Sequence, residues 1–297
     1  MVVTQEKKGV YLLKKEDIQK KHEEDLQRIR NFRLLDDDFM SKVFEDKTCA
    51  EILLRIILQR KDLKVKYVHV QQEIKNLQGR SIRLDILAED TSGKLYNVEV
   101  QRSDKGASRK RARHNSSLLD ANITDAGEDY EKLNSTYVIF ITENDILKSG
   151  LPIYHIDRTV KETGESFEDG AHIIYVNSQI KNETELGKLM HDFSCTNAED
   201  MNYSVLADRV RYFKEDEKGV STMCKAMEDM RNEAHEEGRL EGKIEGKIEG
   251  RIEGRTAERR THIREMLLDH VPIEKIKQYT SATDEEILEI QRKLELQ

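Results

Sequence analysis

Two carboxylates in the middle of the chain are spaced so that they can face each other across a β-hairpin. Residues 95–101 alternate between apolar and polar side chains, which places Glu99 and Gln101 on the same face of a predicted strand. The loop Thr91-Ser92-Gly93 joins this strand to the preceding one, since a glycine in the left-handed conformation commonly closes a three-residue hairpin. Counting back from the loop, we expect Asp85 to lie opposite Glu99, with their Cβ atoms ~5 Å apart.

Two carboxylates at this distance repel each other unless a cation or a proton lies between them. Mg²⁺ (or Mn²⁺) prefers oxygen ligands, so Asp85 and Glu99 could supply two of them and the Val100 carbonyl a third. An ion held in this way can activate a water and offset charge on a phosphodiester. The alternative is an exposed hairpin whose acids pair with nearby Arg or Lys, and a one-residue change of register would separate the two acids.

A run of basic residues directly follows the acidic pair and contains a single acid, Asp104. Next to a carboxylate pair, such a run suits contacts to DNA phosphates, which make binding steeply dependent on salt. The alternative is a solvated face of the basic helix predicted over residues 107–121. We predict DNA contacts for the whole set, and above all for its last three members, the set being Arg102, Lys105, Arg109, Lys110, Arg111 and Arg113.

This block of residues resembles the PD-(D/E)XK nuclease superfamily, in which an acid on one strand and Glu-x-Lys on the next hold a metal ion. It is more similar to the Rpn family of recombination-promoting nucleases, also described as PD-(D/E)XK nuclease family transposases. There the second half of the motif reads Glu-x-Gln, as Glu99-Val100-Gln101 does here. The resemblance covers residues 34–195, including Asp38-Phe-Met-Ser-Lys-Val-Phe and Tyr137-Val-Ile-Phe-Ile-Thr, and extends in character to the Gly/Glu-rich tail.

The resemblance implies a restriction-endonuclease-like α/β fold, with a central mixed sheet flanked by helices and a long helical C-terminal tail. It implies that Asp85 and Glu99 bind the metal ion and that Asp38 adds an acid from the first helix, although an aspartate there commonly caps a helix. Gln101 stands where the superfamily has lysine, and glutamine can orient a water or a phosphate oxygen only through neutral hydrogen bonds.

The function implied by this resemblance is that of a divalent-metal-dependent DNA endonuclease that promotes recombination or the movement of mobile elements. The alternative is a nuclease-fold protein with weak or no catalysis that binds DNA or forms assemblies. The neutral Gln101 favours this alternative, because it lacks the positive charge with which a lysine stabilises a developing hydroxide or the scissile phosphate.

Apolar periodicity predicts the elements that must position these residues. We expect one buried helix from Phe39 to Ile57, strands within residues 63–101 and over 136–142, a late hairpin at Thr163-Gly164, and a helix over 186–193. Interleaved strands and helices indicate an α/β or α+β core. We divide the chain into a charged helical arm (1–33), a nuclease-like domain (34–200), a helical connector (201–237), a repeat helix (238–255) and a short helical cap (256–297).

Residues 238–255 repeat with a period of four, GRLEGKIEGKIEGRIEGR. Residues four apart are neighbours on a helix, so each row is uniformly apolar, small, acidic or basic. Glycines weaken such a helix alone, whereas a second copy could approach closely along the glycine row and pair its acidic row with a basic one. A period longer than 3.6 favours a right-handed crossing. We predict a homo-oligomer formed through this helix, and the alternative is a flexible charged linker.

Composition excludes several classes of protein. Lys and Arg total 50 against 58 Asp and Glu, and the net charge of −8 excludes a uniformly basic coat for nucleic acid. Three widely spaced cysteines predict neither a disulfide framework nor a zinc pattern and fit a reducing cytoplasm. Single histidines, His191 among them, are interpreted as ordinary polar or core positions. No apolar stretch approaches ~18 residues, so we expect neither membrane spanning nor secretion.

Overall fold

A mixed six-stranded β-sheet flanked by helices forms the core of the fold within residues 65–177, as the resemblance implied. The structure is a computed structural model that describes residues 20–75, 81–102, 106–123, 127 and 129–295. The strand order is β1-β2-β3-β4-β6-β5. β1, β2 and β3 are antiparallel neighbours, β3, β4 and β6 are parallel, and β5 is antiparallel to β6. The strands are β1 (Val65–Ile74), β2 (Ile82–Asp90), β3 (Leu95–Gln101), β4 (Thr136–Thr142), β5 (Ile153–Ile156) and β6 (Ala171–Asn177).

Helices precede, separate and follow the strands along the chain, and they make up the described C-terminal part. The described part of the first helix, α1, covers residues 20–31. The helices that follow are α2 (Asp37–Phe44), α3 (Lys47–Ile57), α4 (Arg109–Ile123), α5 (Glu185–Ser194), α6 (Ser204–Glu215), α7 (Glu217–Leu268), α8 (Ile273–Thr280) and α9 (Asp284–Glu295).

The single helix predicted from Phe39 to Ile57 was wrong, because the chain forms two helices there. Asp46 separates them and caps the second: its Oδ1 accepts hydrogen bonds from the backbone N–H groups of Thr48 at 2.8 Å and Cys49 at 3.2 Å. Both helices contact β1.

The strand β4 is buried on both faces, as its continuous apolar sequence predicted. Val138 and Phe140 pack in one cluster with Ala112 and Leu119 of α4. Ile139 and Ile141 alternate with them, point to the opposite face, and are fully buried as well. This strand therefore provides a rigid centre beside β3, whose C-terminal end carries the predicted site.

The charged arm predicted over residues 1–33 is described only from residue 20 onward, and residues 1–19 lie outside the described part. The end of the arm is not a solvated face: Ile29 and Phe32 are buried. Lys214 of α6 further fixes this segment, because its ammonium donates hydrogen bonds to the carbonyls of Arg30 and Phe32.

The chain divides into two compact units, Met1–Met227 and Glu228–Gln297. Helix α7 is continuous from Glu217 to Leu268, so the divisions predicted at 237/238 and 255/256 fall inside one helix. Among the described helices, none has an apolar segment long enough to cross a membrane.

The second unit has its own small core at its C-terminal end. Ile263 near the end of α7, Ile276 of α8 and Ile287 of α9 pack together there. Thr283 and Glu286 cap the N-terminus of α9: the Glu286 N–H donates to Thr283 Oγ1 at 3.3 Å, and the Thr283 N–H donates to Glu286 Oε2 at 3.2 Å.

Candidate active site

The loop of the β2–β3 hairpin has the predicted geometry. The Asp90 N–H donates to the Lys94 carbonyl at 3.0 Å, and Gly93 has a φ of +83°, which is the left-handed conformation that glycine adopts readily. Asp90 Oδ1 accepts from the N–H groups of Ser92 at 2.8 Å and Lys94 at 3.0 Å, and these bonds fix the loop. The register of the two strands is therefore set by local chemistry.

That register brings Asp85 to the level of Glu99. Backbone pairing between the two strands runs as far as Ile86 opposite Val98. One step further, the Val100 N–H donates to Asp85 Oδ2 at 3.1 Å instead of to a strand carbonyl. The strands therefore part where the two acids lie, and the Asp85 side chain occupies the place of a backbone acceptor.

Both acids are removed from water, and the site has more negative charge than it can neutralise. Asp85 is 5% exposed and Glu99 0%. Burial, the charge of Glu99 and the charge of Asp37 together raise the pKa of Asp85 to about 9. Burial also raises the pKa of Glu99, against a hydrogen bond from Asn97 and the charge of Arg111, which lower it. In the protein without a bound cation, these influences favour the protonated form of Asp85.

Arg111 is the counter-ion of Glu99. Its Nη2 donates to Glu99 Oε2 at 2.7 Å, and its Nη1 donates to the Gly106 carbonyl at 2.9 Å. The guanidinium also lies 6.0 Å from the centroid of the Phe140 ring. We predicted a DNA contact here, but a buried carboxylate requires a partner, and α4 places Arg111 where it meets that need.

Asn97 holds the other oxygen of Glu99 and Asn115 holds Asn97, and neither role was predicted from the sequence. Asn97 Nδ2 donates to Glu99 Oε1 at 2.9 Å, and Asn115 Nδ2 donates to Asn97 Oδ1 at 3.3 Å. Asn115 follows Arg111 by four residues on α4, so the two share a face with the buried Leu119. The signal in the sequence was the spacing of Arg111 and Asn115, two polar residues four apart on a helix face that is otherwise buried.

The third acid near the pair is Asp37, whereas its neighbour Asp38 was predicted from the sequence. The charge of Asp37 raises the pKa values of both Asp85 and Glu99, and its own pKa is raised by desolvation and by Asp38. The role of Asp38 in the site stays a prediction. Asp37 itself is exposed, whereas Ser41, one turn later on the same face of α2, is buried.

Gln71 of β1 connects that face of α2 to the sheet. Gln71 Nε2 donates to Ser41 Oγ at 2.7 Å, and a hydrogen bond from Gln71 lowers the pKa of Asp37. The backbone of Gln71 has a φ of +52°, an uncommon conformation for a residue with a side chain, and it interrupts the β1–β2 ladder between Val70 and Gln72. This irregularity lies at the level of Asp85, so the strain is located at the site.

Arg102, another predicted DNA contact, ties the end of β3 to the start of α2. Its Nη1 donates to Asp36 Oδ1 at 2.8 Å, and its Nε lies 3.5 Å from Glu143 Oε2. Arg33 also pairs with Glu143, at 3.2 Å. Asp36 occupies the N-cap position of α2 without capping it through its side chain, because that carboxylate serves this network. The network fixes the helix that carries Asp37.

The remaining residues predicted for the site and for DNA contacts differ in their exposure and surroundings. Arg109, Lys110 and Arg113 are exposed on α4, and none of them has an ion pair with another described residue. Lys105 lies outside the described residues. Gln101 is half-buried at the end of β3, and its role and that of the Val100 carbonyl stay predictions.

The donor set of the site fits a hard divalent cation. It consists of carboxylate oxygens, and Asp85 Oδ1 accepts no hydrogen bond from the described residues. In this arrangement the carboxylate oxygens of Asp37, Asp85 and Glu99 do not all lie within 4.8 Å of one another. Among the described residues, the ligand atoms of His191, Asp192 and Cys195 do. The Arg111 guanidinium lies against Glu99, where the site needs positive charge.

Comparison with known proteins agrees with this geometry. A family model described as PD-(D/E)XK nuclease family transposase matches residues 42–239, which is more than half of the chain and includes the strands and the helix that carry Asp85, Glu99 and Arg111. No curated protein and no solved structure matches the chain.

Proposed function

Since the chain belongs to the PD-(D/E)XK nuclease family transposases, we propose that it acts as a divalent-metal-dependent DNA endonuclease of the Rpn type. The observation that carries the proposal is the buried and incompletely neutralised charge of Asp85 and Glu99. Burying like charges destabilises a fold, so a cluster of this kind in a hydrolase-family domain is a candidate for chemistry.

Asp85 and Glu99 would hold Mg²⁺ or Mn²⁺, with the Val100 carbonyl as a further ligand. When bound, such an ion activates a water and offsets charge on a phosphodiester. The chain orients both acids as ligands, because the Val100 N–H holds Asp85 Oδ2 and Asn97 holds Glu99 Oε1. Asp37, on the exposed side of the pair, adds a carboxylate that can accept a hydrogen bond from water.

Arg111 and Gln101 together would take the role of the lysine in the wider superfamily, which stabilises a developing hydroxide or the scissile phosphate. Arg111 brings a permanent positive charge to Glu99, and a phosphate oxygen could compete for the same guanidinium. Gln101 extends from the same face of β3 as Glu99 and would orient a water or a phosphate oxygen by neutral hydrogen bonds.

DNA would approach along α4, whose exposed Arg109, Lys110 and Arg113 carry positive charge beside the site. Breaks made there could promote recombination or mobile-element movement. A reducing cytoplasm suits the three free cysteines. Self-association through residues 238–255 is part of the same proposal.

The second candidate is a DNA-binding or assembly protein whose nuclease fold has lost catalysis. Two observations favour it: Gln101 is neutral, and Arg111 already neutralises one oxygen of Glu99. In this case α4 would still bind DNA, and the acids would remain as a metal-free cluster.

Nicking of supercoiled DNA in Mg²⁺ or Mn²⁺ distinguishes the two candidates. We expect cleavage by the wild type, none by Asp85→Ala, and wild-type cleavage by Glu89→Ala, which removes an acid of the same strand that pairs with Lys66 instead. Circular dichroism checks that each variant is folded. Cleavage equal in wild type and Asp85→Ala would refute the site, and DNA binding without cleavage by the folded wild type would favour the second candidate.

A further inference from the structure

A second group of metal-ligating side chains lies at the junction of α5 and α6. His191 and Cys195 are one helical turn apart at the end of α5, and Asp192 lies between them. Their ligand atoms all lie within 4.8 Å of one another. Asp192 is fully buried, whereas His191 and Cys195 are partly exposed, so an ion could reach the group from solvent. The group shares no residue with the acids of β2 and β3.

The distances within this group match those of a tetrahedral site. His191 Nδ1 lies 3.5 Å from Cys195 Sγ and 3.5 Å from Asp192 Oδ1. With metal–nitrogen and metal–oxygen bonds of about 2.0–2.1 Å and metal–sulfur bonds of about 2.3 Å, tetrahedral ligands lie about 3.3–3.6 Å apart. The two distances from His191 Nδ1 are therefore those of neighbouring ligands in a zinc coordination shell, and Asp192 and Cys195 lie within 4.8 Å of each other.

The side chain of Asn202 lies beside His191 and Asp192, where a fourth ligand would be needed. Its Nδ2 lies 2.8 Å from Asp192 Oδ1 and 3.2 Å from His191 Nδ1. The amide group of Asn202 therefore contacts the two atoms that would bind a cation. Rotation of the amide by half a turn presents Oδ1 to the same place, as an oxygen ligand. The fourth ligand can thus be Asn202 or a water that replaces its amide.

The donor set selects the kind of ion. A thiolate, an imidazole and one carboxylate suit a borderline ion such as Zn²⁺, whereas Mg²⁺ prefers oxygen ligands throughout. A thiolate is a ligand that Zn²⁺ binds readily, and metal binding to a cysteine releases its proton.

We propose that His191, Asp192 and Cys195 form a binding site for one Zn²⁺-class ion that stabilises the junction of α5 and α6. Asp192 already spans this junction, because it accepts hydrogen bonds from the N–H groups of Asn202 at 2.8 Å and Tyr203 at 2.9 Å. An ion on the same carboxylate would join the end of α5 to this connection. His191 was interpreted from the sequence as an ordinary single histidine, since Asn202 and the tertiary contact are not visible in the spacing.

Titration of the full chain, stripped of metal, with Co²⁺ tests this site directly. We expect one equivalent to bind with a thiolate-to-cobalt charge-transfer band in the near ultraviolet and with visible bands of tetrahedral cobalt, and Zn²⁺ to displace it. Cys195→Ser should abolish the charge-transfer band, and His191→Ala should weaken Co²⁺ binding by at least about 10-fold. Zn²⁺ should raise the melting temperature of the wild type but not of these two variants.

Two control variants show whether the cobalt spectrum arises from this site. Cys224→Ser removes another partly exposed thiol and should leave the spectrum unchanged. Asp85→Asn disables the proposed nuclease site and should also leave the spectrum unchanged, so failure of the nuclease proposal would not affect this result. Absence of a charge-transfer band in the wild type, or its persistence in Cys195→Ser, would overturn the proposal.

Discussion

The surroundings of Asp85 and Glu99 show how a fold keeps buried carboxylates that lower its stability. Glu99 is fully buried, and three different groups serve it: Arg111 on Oε2, Asn97 on Oε1, and Asn115 behind Asn97. Asp85 has a single N–H donor among the described residues and otherwise depends on a proton. A sequence selected for stability alone would replace this pair with apolar residues, so its presence indicates a role beyond folding.

The stability of the metal-free protein should fall as the pH rises from about 4 to 9. The folded state keeps a proton on Asp85 up to a pKa of about 9, whereas the unfolded chain releases it near the ordinary aspartate pKa of 3.8. The folded state therefore binds more protons in this range, and each pH unit costs at most about 1.4 kcal/mol. Urea unfolding in chelator measures the slope.

Asp85→Asn should remove most of this slope, because the amide does not titrate. Glu89→Gln, a substitution of a partly exposed carboxylate on the same strand, should retain it. If the wild type and Asp85→Asn lose stability in parallel as the pH rises, the proton is not held by Asp85.

Arg111→Gln should destabilise the metal-free protein by about 2 kcal/mol. This value is below the ~3–5 kcal/mol typical of a broken buried pair, because the Arg111 side chain is 36% exposed. Mg²⁺ should recover part of the loss, since a cation on the acids replaces the missing charge. Urea unfolding with and without Mg²⁺ checks both statements. The matched control is Arg109→Gln, an exposed position on the same helix that should change stability by less than about 0.5 kcal/mol.

Gln101→Lys should raise the rate of plasmid nicking about tenfold, which corresponds to about 1.4 kcal/mol of transition-state stabilisation. The reason is that an ammonium adds charge to the interaction with a phosphate oxygen or a developing hydroxide, which the amide serves only by neutral hydrogen bonds. Initial rates at saturating Mg²⁺ provide the measurement. A rate equal to that of the wild type would place Gln101 away from the reacting water.

At the scale of elements, the sequence predicted the β2–β3 hairpin, which depends on local chemistry. It did not predict the side-chain contacts that depend on how the helices pack against the sheet. The β2–β3 hairpin and the αL glycine follow from turn residues and alternation, and these gave Asp85 and Glu99. The proximity of Asp37 to the pair depends on how α2 docks beside Gln71, which spacing does not encode. The pairing of Arg111 with Glu99 likewise depends on the docking of α4 against β4. The break at Asp46 was hidden because α2 and α3 have the same apolar spacing.

Helix α4 should bind DNA through its exposed cations and not through Arg102. The double variant Arg109→Glu/Arg113→Glu should weaken affinity about 10- to 100-fold at low salt, because it removes two phosphate contacts and adds two repulsive charges. The slope of log affinity against log salt should decrease in magnitude by about 2. Fluorescence anisotropy over a salt series measures both values.

Lys132→Glu/Lys161→Glu makes the same change of net charge at exposed positions outside α4 and is the matched control. It should reduce affinity only slightly, through the general field of the protein. Equal effects of the two double variants would mean that α4 contributes net charge alone and makes no contact with DNA.

At the scale of the whole molecule, the repeat of α7 leaves apolar surface exposed in the single chain. Leu240, Ile244, Ile248 and Ile252 are 57%, 51%, 54% and 60% exposed and follow one another every fourth residue. The intervening glycines have open space around them: apart from adjacent residues and the nearby backbone of α7 itself, no described residue would come within 4 Å of a methyl group at Gly246 or Gly250. A second copy of the chain that packs on the isoleucine row would cover it, consistent with the proposed self-association. The glycine row lies two residues, or about 200°, away around the helix, so close approach along it would be a separate contact on the opposite side.

Gly246→Ala/Gly250→Ala should make α7 more helical and, at the same time, less associated. Each alanine favours an exposed helix by up to about 1 kcal/mol. The added methyl groups would, however, keep two helices from close approach along the glycine row. Circular dichroism measures the first effect and sedimentation velocity the second. Thr222→Ala, which improves helix propensity outside the repeat, should leave association unchanged. A double variant that is more helical and equally associated, or a wild type that sediments as a monomer, would show that the glycine row does not form the contact.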